Sequence, residues 1–271
     1  MQQVIYKITE SDPSSVVVGG RYLVYLIISM NLGISAGKFE GLSKEKKKQY
    51  VAELLIRESK AAPVIPTKTP IAIVMAGLPG AGKTEFLDSL DELLKKRDLE
   101  SFVRIDLDQI VTVYPKYTPQ SYDKFRSQGN HTIARSIDVA RVGRYNMMVD
   151  GTFSGLSGAS INNIDKLLES DYMVLMIYMY DDALTAWRYT QAREIETRRG
   201  ISRESFLKSC EYIPKNLKIA LSLFKNNKAF GISAVVQKKL RDKSYNVLTT
   251  NEEVEAVIEK GYNIDEIKKI L

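Results

Sequence analysis

The chain has 271 residues, 44% of them hydrophobic, and a formal net charge of +6 at pH 7. This composition is typical of a globular protein with a packed core and excludes a fibrous or disordered chain. One cysteine and one histidine exclude an internal disulfide and a metal site built from those two residue types. The positive charge suits an anionic ligand such as a nucleotide.

The N-terminal part of the chain is predicted to contain two helices, at residues 14–30 and 43–60. In the second helix Tyr50, Val51 and Leu54 share an apolar face. Because two helices bury little apolar surface by themselves, we expect this face to pack on another part of the chain.

No signal for secretion or for a membrane span is expected. A charged segment followed by an apolar one is missing at the N-terminus, and the most apolar segment, residues 22–30, is too short to cross a bilayer. These features and the single cysteine predict a cytoplasmic location. Basic residues cluster only between Lys44 and Lys48, so nucleic-acid binding is not indicated.

Residues 62–70 contain three prolines and therefore exclude a continuous helix or a central strand. We predict a proline-rich linker at 63–70. It divides the chain into a helical N-terminal domain, residues 1–62, and a larger domain, residues 71–271.

The larger domain alternates apolar strand-like runs with helical patterns, as α/β proteins with a mostly parallel sheet do. The predicted strands are 71–76, 102–107, 146–150 and 174–179, and the predicted helices are 83–95, 122–142, 161–169, 183–199 and 202–224. Residues 234–271 are predicted to form a short hairpin and one or two helices. The predicted fold class is α/β, a mostly parallel sheet flanked by helices.

The first of these strands leads directly into a loop with the pattern G-x-x-x-x-G-K-[ST]. The loop consists of Gly77, Leu78, Pro79, Gly80, Ala81, Gly82, Lys83 and Thr84. Such a loop turns its backbone N–H groups around a polyphosphate, at the N-terminus of the helix that follows. Lys83 is expected to contact the β- and γ-phosphates, and Thr84 to ligate Mg²⁺. The pattern therefore predicts ATP or GTP as a cofactor, together with Mg²⁺.

Two carboxylates follow the next strand. Asp106 and Asp108 are two residues apart, which places both on one face of a strand. One of them is suited to accept the proton of an attacking hydroxyl, and the other to hold Mg²⁺ through water. We predict that Asp108 is the base. The alternative is that Asp108 caps the following helix and that Asp106 forms a structural ion pair.

The strand at 146–150 ends in Asp150, Gly151 and Thr152. Ligands of open α/β sheets bind beyond the carboxyl ends of the strands, so Asp150 and Thr152 are expected to contact a substrate. The alternative is an ordinary turn, since Asp-Gly is common in turns.

The predicted helix 183–199 carries four arginines: Arg188, Arg193, Arg198 and Arg199. Arg188 and Arg199 are about three turns apart and share a face in an unbroken helix. Such a pair is suited to bind the β- and γ-phosphates during transfer. The alternative is surface pairing with Glu194 and Glu196, which suits Arg193 and Arg198.

Taken together, these motifs resemble the zeta toxin family over about residues 70–230. The resemblance rests on Gly-Leu-Pro-Gly-Ala-Gly-Lys-Thr, Ile-Asp-Leu-Asp with Tyr114-Pro115, Val-Asp-Gly-Thr, the arginine helix, and Tyr-Ile-Pro-Lys-Asn-Leu at 212–217, in that order. Zeta toxins are bacterial P-loop kinases that phosphorylate the 3′-hydroxyl of UDP-N-acetylglucosamine, and a separate helical antitoxin blocks their nucleotide site.

The resemblance implies a role for each of these positions. Lys83 and Thr84 would contact nucleotide and metal, and Asp108 would be the base. We predict that Asp106, Asp150 and Thr152 contact the substrate. For Asp150 and Thr152 the resemblance implies that this contact is with a sugar nucleotide. Arg188 and Arg199 would bind phosphates. The helical segment before the P-loop resembles a fused antitoxin, which implies an intramolecular inhibitor.

Three positions depart from the family pattern. Ser154 stands where the family commonly has an arginine, Asp150 where a glutamate is usual, and no glutamate occurs near Ile133 and Ala134. Alternative hypotheses are therefore a kinase for another acceptor, such as a nucleoside, an antibiotic or a polynucleotide end, and a regulatory nucleotide-binding module without turnover. Asp108 beside an intact P-loop argues against the module, because binding alone needs no base.

Overall fold

The structure is a computed structural model that describes residues 39–97, 101–114, 117–118, 121–155, 158–197, 200–226, 231–238 and 245–271. The helices are α1 Lys44–Ser59, α2 Lys83–Lys96, α3 Leu107–Thr112, α4 Tyr122–Val142, α5 Ala159–Glu169, α6 Ala183–Thr197, α7 Arg203–Asn226, α8 Asn251–Lys260 and α9 Ile264–Ile270. The strands are β1 Ile71–Gly77, β2 Val103–Asp106, β3 Met147–Asp150, β4 Met173–Tyr180, β5 Gly231–Lys238 and β6 Tyr245–Leu248. The helix predicted at 14–30 lies outside the described residues.

The strands form one sheet in the order β2-β3-β1-β4-β5-β6. The first five are parallel, and β6 runs antiparallel to β5. The predicted α/β fold is therefore confirmed, as are the C-terminal hairpin and the two helices after it. None of the helices in the described ranges is long and apolar enough to cross a bilayer.

Strand β1 lies inside the sheet, hydrogen-bonded to β3 on one side and to β4 on the other. Six of its seven residues are buried. This burial on both faces explains the unbroken apolar run that precedes the P-loop. The carboxyl end of β1, where the P-loop begins, therefore lies between the carboxyl ends of β3 and β4.

Helix α1 packs against α4 and β2, and its Val51 and Leu54 belong to the same hydrophobic core as the sheet. Ser43 caps this helix, since its hydroxyl accepts a hydrogen bond from the Lys46 N–H. The expected partner of the apolar α1 face is thus the α/β domain itself. The described part of the predicted N-terminal domain is a helix of the α/β fold.

Residues 63–70 form no helix or strand, as predicted from their prolines, but the segment is firmly attached. The Val64 N–H donates to the Arg144 carbonyl at 2.8 Å, and the Arg144 guanidinium donates to the Lys68 carbonyl at 2.7 Å. At the end of the segment, the Met173 N–H donates to the Pro70 carbonyl at 2.9 Å. These bonds attach the linker to the ends of α4 and β4.

Candidate active site

A cavity of about 810 Å³ opens at the carboxyl ends of the central strands. Its walls are the P-loop, the ends of β2 and β3, the loop at 151–155, and residues of α4, α5 and α6. This is the position at which open parallel sheets bind their ligands. The volume is that of a site for a small molecule or cofactor.

The P-loop backbone requires glycine at two positions. Gly77 has φ of +144°, and a Cβ there would lie 2.5 Å from the Met179 carbonyl oxygen. Gly80 has φ of +84°, and a Cβ there would lie 2.2 Å from the Ala186 carbonyl oxygen. The loop therefore packs directly on the backbones of β4 and α6, which an L side chain would prevent.

Lys83 is folded back onto its own loop. Its Nζ donates to the carbonyl oxygens of Gly77 and Leu78 at 2.9 and 2.8 Å. The pKa of Lys83 is lowered to about 8, chiefly by burial and in smaller part by the like charge of Arg193, while the charge of Asp150 opposes the shift. A buried ammonium held by neutral carbonyls gains a stronger partner when an anionic phosphate enters the loop.

The metal-side groups meet next to the lysine. The Thr84 hydroxyl donates to Asp150 Oδ2 at 3.0 Å, and Arg104 Nη2 donates to the same oxygen at 3.0 Å. Arg104 Nη1 also donates to Asp88 Oδ1 at 3.2 Å. A hydroxyl and a carboxylate beside a phosphate loop are ligands of the kind that Mg²⁺ takes, so these residues fit the metal that the P-loop implies.

Asp106 and Asp108 do not lie on one strand face, so that prediction is wrong. Strand β2 ends at Asp106, and α3 begins at Leu107, because Asp106 Oδ1 accepts a hydrogen bond from the Asp108 N–H at 2.8 Å and caps the helix. Asp108 lies in the first turn of α3, half-buried, and lines the cavity. The capping role that the alternative interpretation assigned to Asp108 belongs to Asp106.

Asp106 is the register neighbour of Asp150 on the adjacent strand. The pKa of Asp106 is raised to about 7, chiefly by burial and in smaller part by the negative charges of Asp150 and Asp108, while the hydrogen bond from the Asp108 N–H and the charge of Arg104 oppose the shift. With a pKa of about 7, the Asp106 carboxyl is partly protonated at neutral pH. Both carboxylates line the cavity, but Asp106 is engaged in capping α3, which favours Asp108 as the contact of an acceptor hydroxyl.

The loop after β3 presents two hydroxyls to the cavity, those of Thr152 and Ser154, which are 2.7 Å apart. Phe153 between them is buried with φ of +61°. Asn216 of α7 donates to the carbonyl oxygens of Phe153 and Gly155 at 2.8 and 3.2 Å. These two hydrogen bonds from Asn216 stabilise the strained backbone of the loop.

The structure does not place the arginines of the predicted helix 183–199 as expected, with Arg188 at the phosphates and Arg193 on the surface. Arg188 and Arg193 are both exposed, but Arg193 lines the cavity near Lys83 and Arg188 does not. Arg199 lies outside the described residues. Arg193 follows Ala186 and Thr190 at helical spacing on the face that packs under the P-loop. That run of small buried residues is the signal by which the sequence points to Arg193.

Arg104 is a second site residue that the sequence analysis missed. It lies two residues before Asp106 on β2, so strand alternation places both side chains on one face. This two-residue spacing is the feature of the sequence from which a role for Arg104 beside Asp106 could have been predicted. Within the described ranges, no group of three or more His, Cys, Asp or Glu residues forms a metal site by itself.

Comparison with known proteins gives a family and a fold. The model of the zeta toxin family matches residues 56–253. No curated protein matches the chain.

Several solved structures share the fold at low identity. A chain of the PezAT chromosomal toxin–antitoxin system of the human pathogen Streptococcus pneumoniae has a TM-score of 0.56 and 16% identity, over 82% of this chain and 92% of that one. The AvrRxo1-ORF1:ORF2 complex in its native form has a TM-score of 0.55 and 14% identity, over 80% of this chain and 78% of that one. The same complex with ATP has a TM-score of 0.54 and 16% identity, over 78% of this chain and 68% of that one.

Proposed function

The chain belongs to the zeta toxin family, and on that premise we propose that it is an ATP- and Mg²⁺-dependent kinase that phosphorylates a hydroxyl of a small acceptor. The observation that carries the proposal is the meeting of Lys83, Thr84, Asp150 and Asp108 at one cavity. A phosphate loop alone supports nucleotide binding. A second carboxylate at the wall of the same cavity, that of Asp108, supports transfer.

The mechanism assigns a step to each of these groups. Lys83 leaves the carbonyls of its loop and binds the β- and γ-phosphate oxygens. Asp108 accepts the proton of the acceptor hydroxyl as that oxygen attacks the γ-phosphorus, and the nucleoside diphosphate leaves in line. Bound Mg²⁺ supplies charge neutralisation at the phosphates, and Thr84 with Asp150 would hold it.

Two assignments follow the geometry rather than the resemblance. The bond to Thr84 supports a metal-side role for Asp150, in place of the sugar-nucleotide contact that the resemblance implies. The cavity position of Arg193 supports it as the arginine that stabilises the transferred phosphoryl group. Arg188 does not line the cavity, which argues for a surface role. The proposed phosphate contact by Arg199 remains a prediction.

We propose UDP-N-acetylglucosamine as the acceptor, because this is the family's substrate, with Thr152 as a contact. A solved complex of similar fold contains ATP, which supports ATP as the donor. A different acceptor is the second candidate. Ser154 and Ala134 both line the cavity at positions where the family pattern has charged side chains, so a nucleoside, an antibiotic or a polynucleotide end is an alternative substrate.

The test is incubation of the full chain with γ-labelled ATP and a panel of UDP-sugars, nucleosides, antibiotics and oligonucleotides. We expect label on UDP-N-acetylglucosamine. Label on another member of the panel would show that the acceptor is a different molecule and would still support kinase activity. Nucleotide binding without label on any of them would favour the regulatory module.

The proposed restraint by the N-terminal segment rests on residues 1–38. Helix α1 contributes no residue to the cavity, and it is part of the core. Removal of residues 1–38 alone is therefore the informative truncation, since removal up to 62 would also take away a helix of the hydrophobic core. Higher phosphoryl transfer by the truncated chain would support autoinhibition, and equal transfer would contradict it.

A further inference from the structure

Arg104 occupies a costly position beside the P-loop. Its side chain is largely buried on β2, and its Nε is one of two buried side-chain polar atoms in the described residues that have no hydrogen-bond partner. Burial of a guanidinium with an unpaired N–H opposes folding. Arg104 is therefore better explained by what its other nitrogens hold than by stability.

Those nitrogens hold two carboxylates of very different exposure. Nη2 pairs with Asp150 at 3.0 Å, where the Asp150 side chain is 6% exposed. Nη1 pairs with Asp88 at 3.2 Å, where the Asp88 side chain is 66% exposed. The inner ion pair is shielded from solvent and the outer one is not, so the inner pair dominates the interaction.

The inner pair acts on the Thr84 hydroxyl. Arg104 and Thr84 both donate to Asp150 Oδ2, which fixes the rotation of that carboxylate. A hydroxyl has one proton and two lone pairs. With its proton committed to Asp150, the Thr84 oxygen keeps its lone pairs for a cation at the P-loop.

Arg104 also offsets a concentration of negative charge. Asp150 and Asp108 lie close enough to Asp106 for their charges to act on it. A guanidinium beside these carboxylates reduces their mutual repulsion. The 3.0 Å ion pair places this compensating charge directly on Asp150.

We propose that Arg104 is a positioning residue that acts through Asp150 to prepare Thr84 for Mg²⁺. The inference rests on the proposed function for the presence of the metal. Arg104 orients the Asp150 carboxylate before nucleotide binds. Loss of Arg104 therefore reduces the contribution of Mg²⁺ to nucleotide affinity and leaves the contacts between the P-loop and the phosphates intact.

The experiment measures binding of the non-hydrolysable analogue AMPPNP by calorimetry, once with EDTA and once with Mg²⁺. In Arg104→Met the tightening that Mg²⁺ confers should fall by about 10- to 100-fold, as for other residues that orient metal ligands, while affinity in EDTA stays unchanged. Arg104→Lys, which keeps one charged donor, should recover part of the loss. Arg104→Gln is the second uncharged variant should Arg104→Met not fold.

Two controls separate positioning from structure. Asp88→Asn breaks only the outer ion pair and should leave the Mg²⁺ effect unchanged. In an Asp150→Asn background, Arg104→Met should have no further effect, because both substitutions remove the same interaction.

Three results would overturn the inference: normal Mg²⁺ tightening in Arg104→Met, an equal loss in Asp88→Asn, or additive losses in the double variant. No acceptor is present in the assay. Failure of the full chain to phosphorylate any acceptor therefore counts against the proposed function alone.

Discussion

The Thr84 hydroxyl donates a 3.0 Å hydrogen bond to the Asp150 carboxylate, 66 residues further along the chain. The bond joins the start of α2 to the end of β3, because β1 and β3 are adjacent and parallel. It brings together a residue that the P-loop pattern identifies and one whose role the sequence left open. The predictions below test the groups around it.

Lys83→Ala should abolish phosphoryl transfer without unfolding the chain. The Lys83 ammonium is buried against neutral carbonyls, so its removal relieves a desolvation cost while it removes the charge that binds the phosphates. Transfer of label from γ-labelled ATP measures the loss, and urea unfolding measures stability. Lys95→Ala, at an exposed position of the same helix, is the control and should transfer label normally.

Asp108→Asn should lower kcat by about 10²- to 10⁴-fold with little change in nucleotide affinity, since the amide cannot take a proton. Asp106→Asn should cost less, because asparagine keeps the oxygen that caps α3. Steady-state kinetics of the two variants make the comparison. A larger loss of kcat in Asp106→Asn would reverse the assignment of the base.

The stability of the chain should depend on pH through Asp106. Burial and the neighbouring carboxylates raise its pKa from 3.8 to about 7. The folded state therefore retains a proton that the unfolded state releases, and this stabilisation, complete below pH 3.8, is lost as pH rises through about 7. Asp106→Asn should gain stability relative to the native chain between pH 5 and pH 8 in urea unfolding. A constant difference between the two chains would contradict the raised pKa.

Arg193→Ala should lower kcat by about 10²-fold or more while KM changes little, because negative charge on the phosphoryl oxygens grows toward the transition state. Arg188→Ala is the matched control on the same helix and should stay within about twofold of the native chain, because Arg188 does not line the cavity and surface substitutions away from a site usually change little. If Arg188→Ala lost the greater share of kcat, the helix-face interpretation from the sequence would be right.

Leu54→Ala should destabilise the whole fold by about 2–5 kcal/mol, the usual cost of a cavity in a core. Leu54 is 3% exposed and packs in the core that α1 shares with the sheet. Urea unfolding measures the change, with the half-exposed Ile65→Ala as the control. A loss confined to a separate early transition would mean that α1 unfolds independently of the α/β domain.

Local patterns in the sequence determined much of this protein. The apolar run of β1 is buried on both faces, so its composition identifies it without reference to partners, and the P-loop pattern reflects glycines that its own backbone requires. Alternation of strands and helices was enough for the α/β class. Helix α4 was predicted with its observed bounds because its period is continuous over 21 residues.

Relations between distant segments were decided only by the tertiary structure. Strand alternation at Asp106 and Asp108 failed because the Asp106 side chain ends β2 by capping α3, a competition between two local structures that spacing does not resolve. The roles of Arg193 and Arg104 depend on which helix face and which strand edge meet the P-loop. These contacts depend on the order of the strands in the sheet. Thr84, Arg104 and Asp150 are distant in the sequence and become neighbours only when the strands pair in that order.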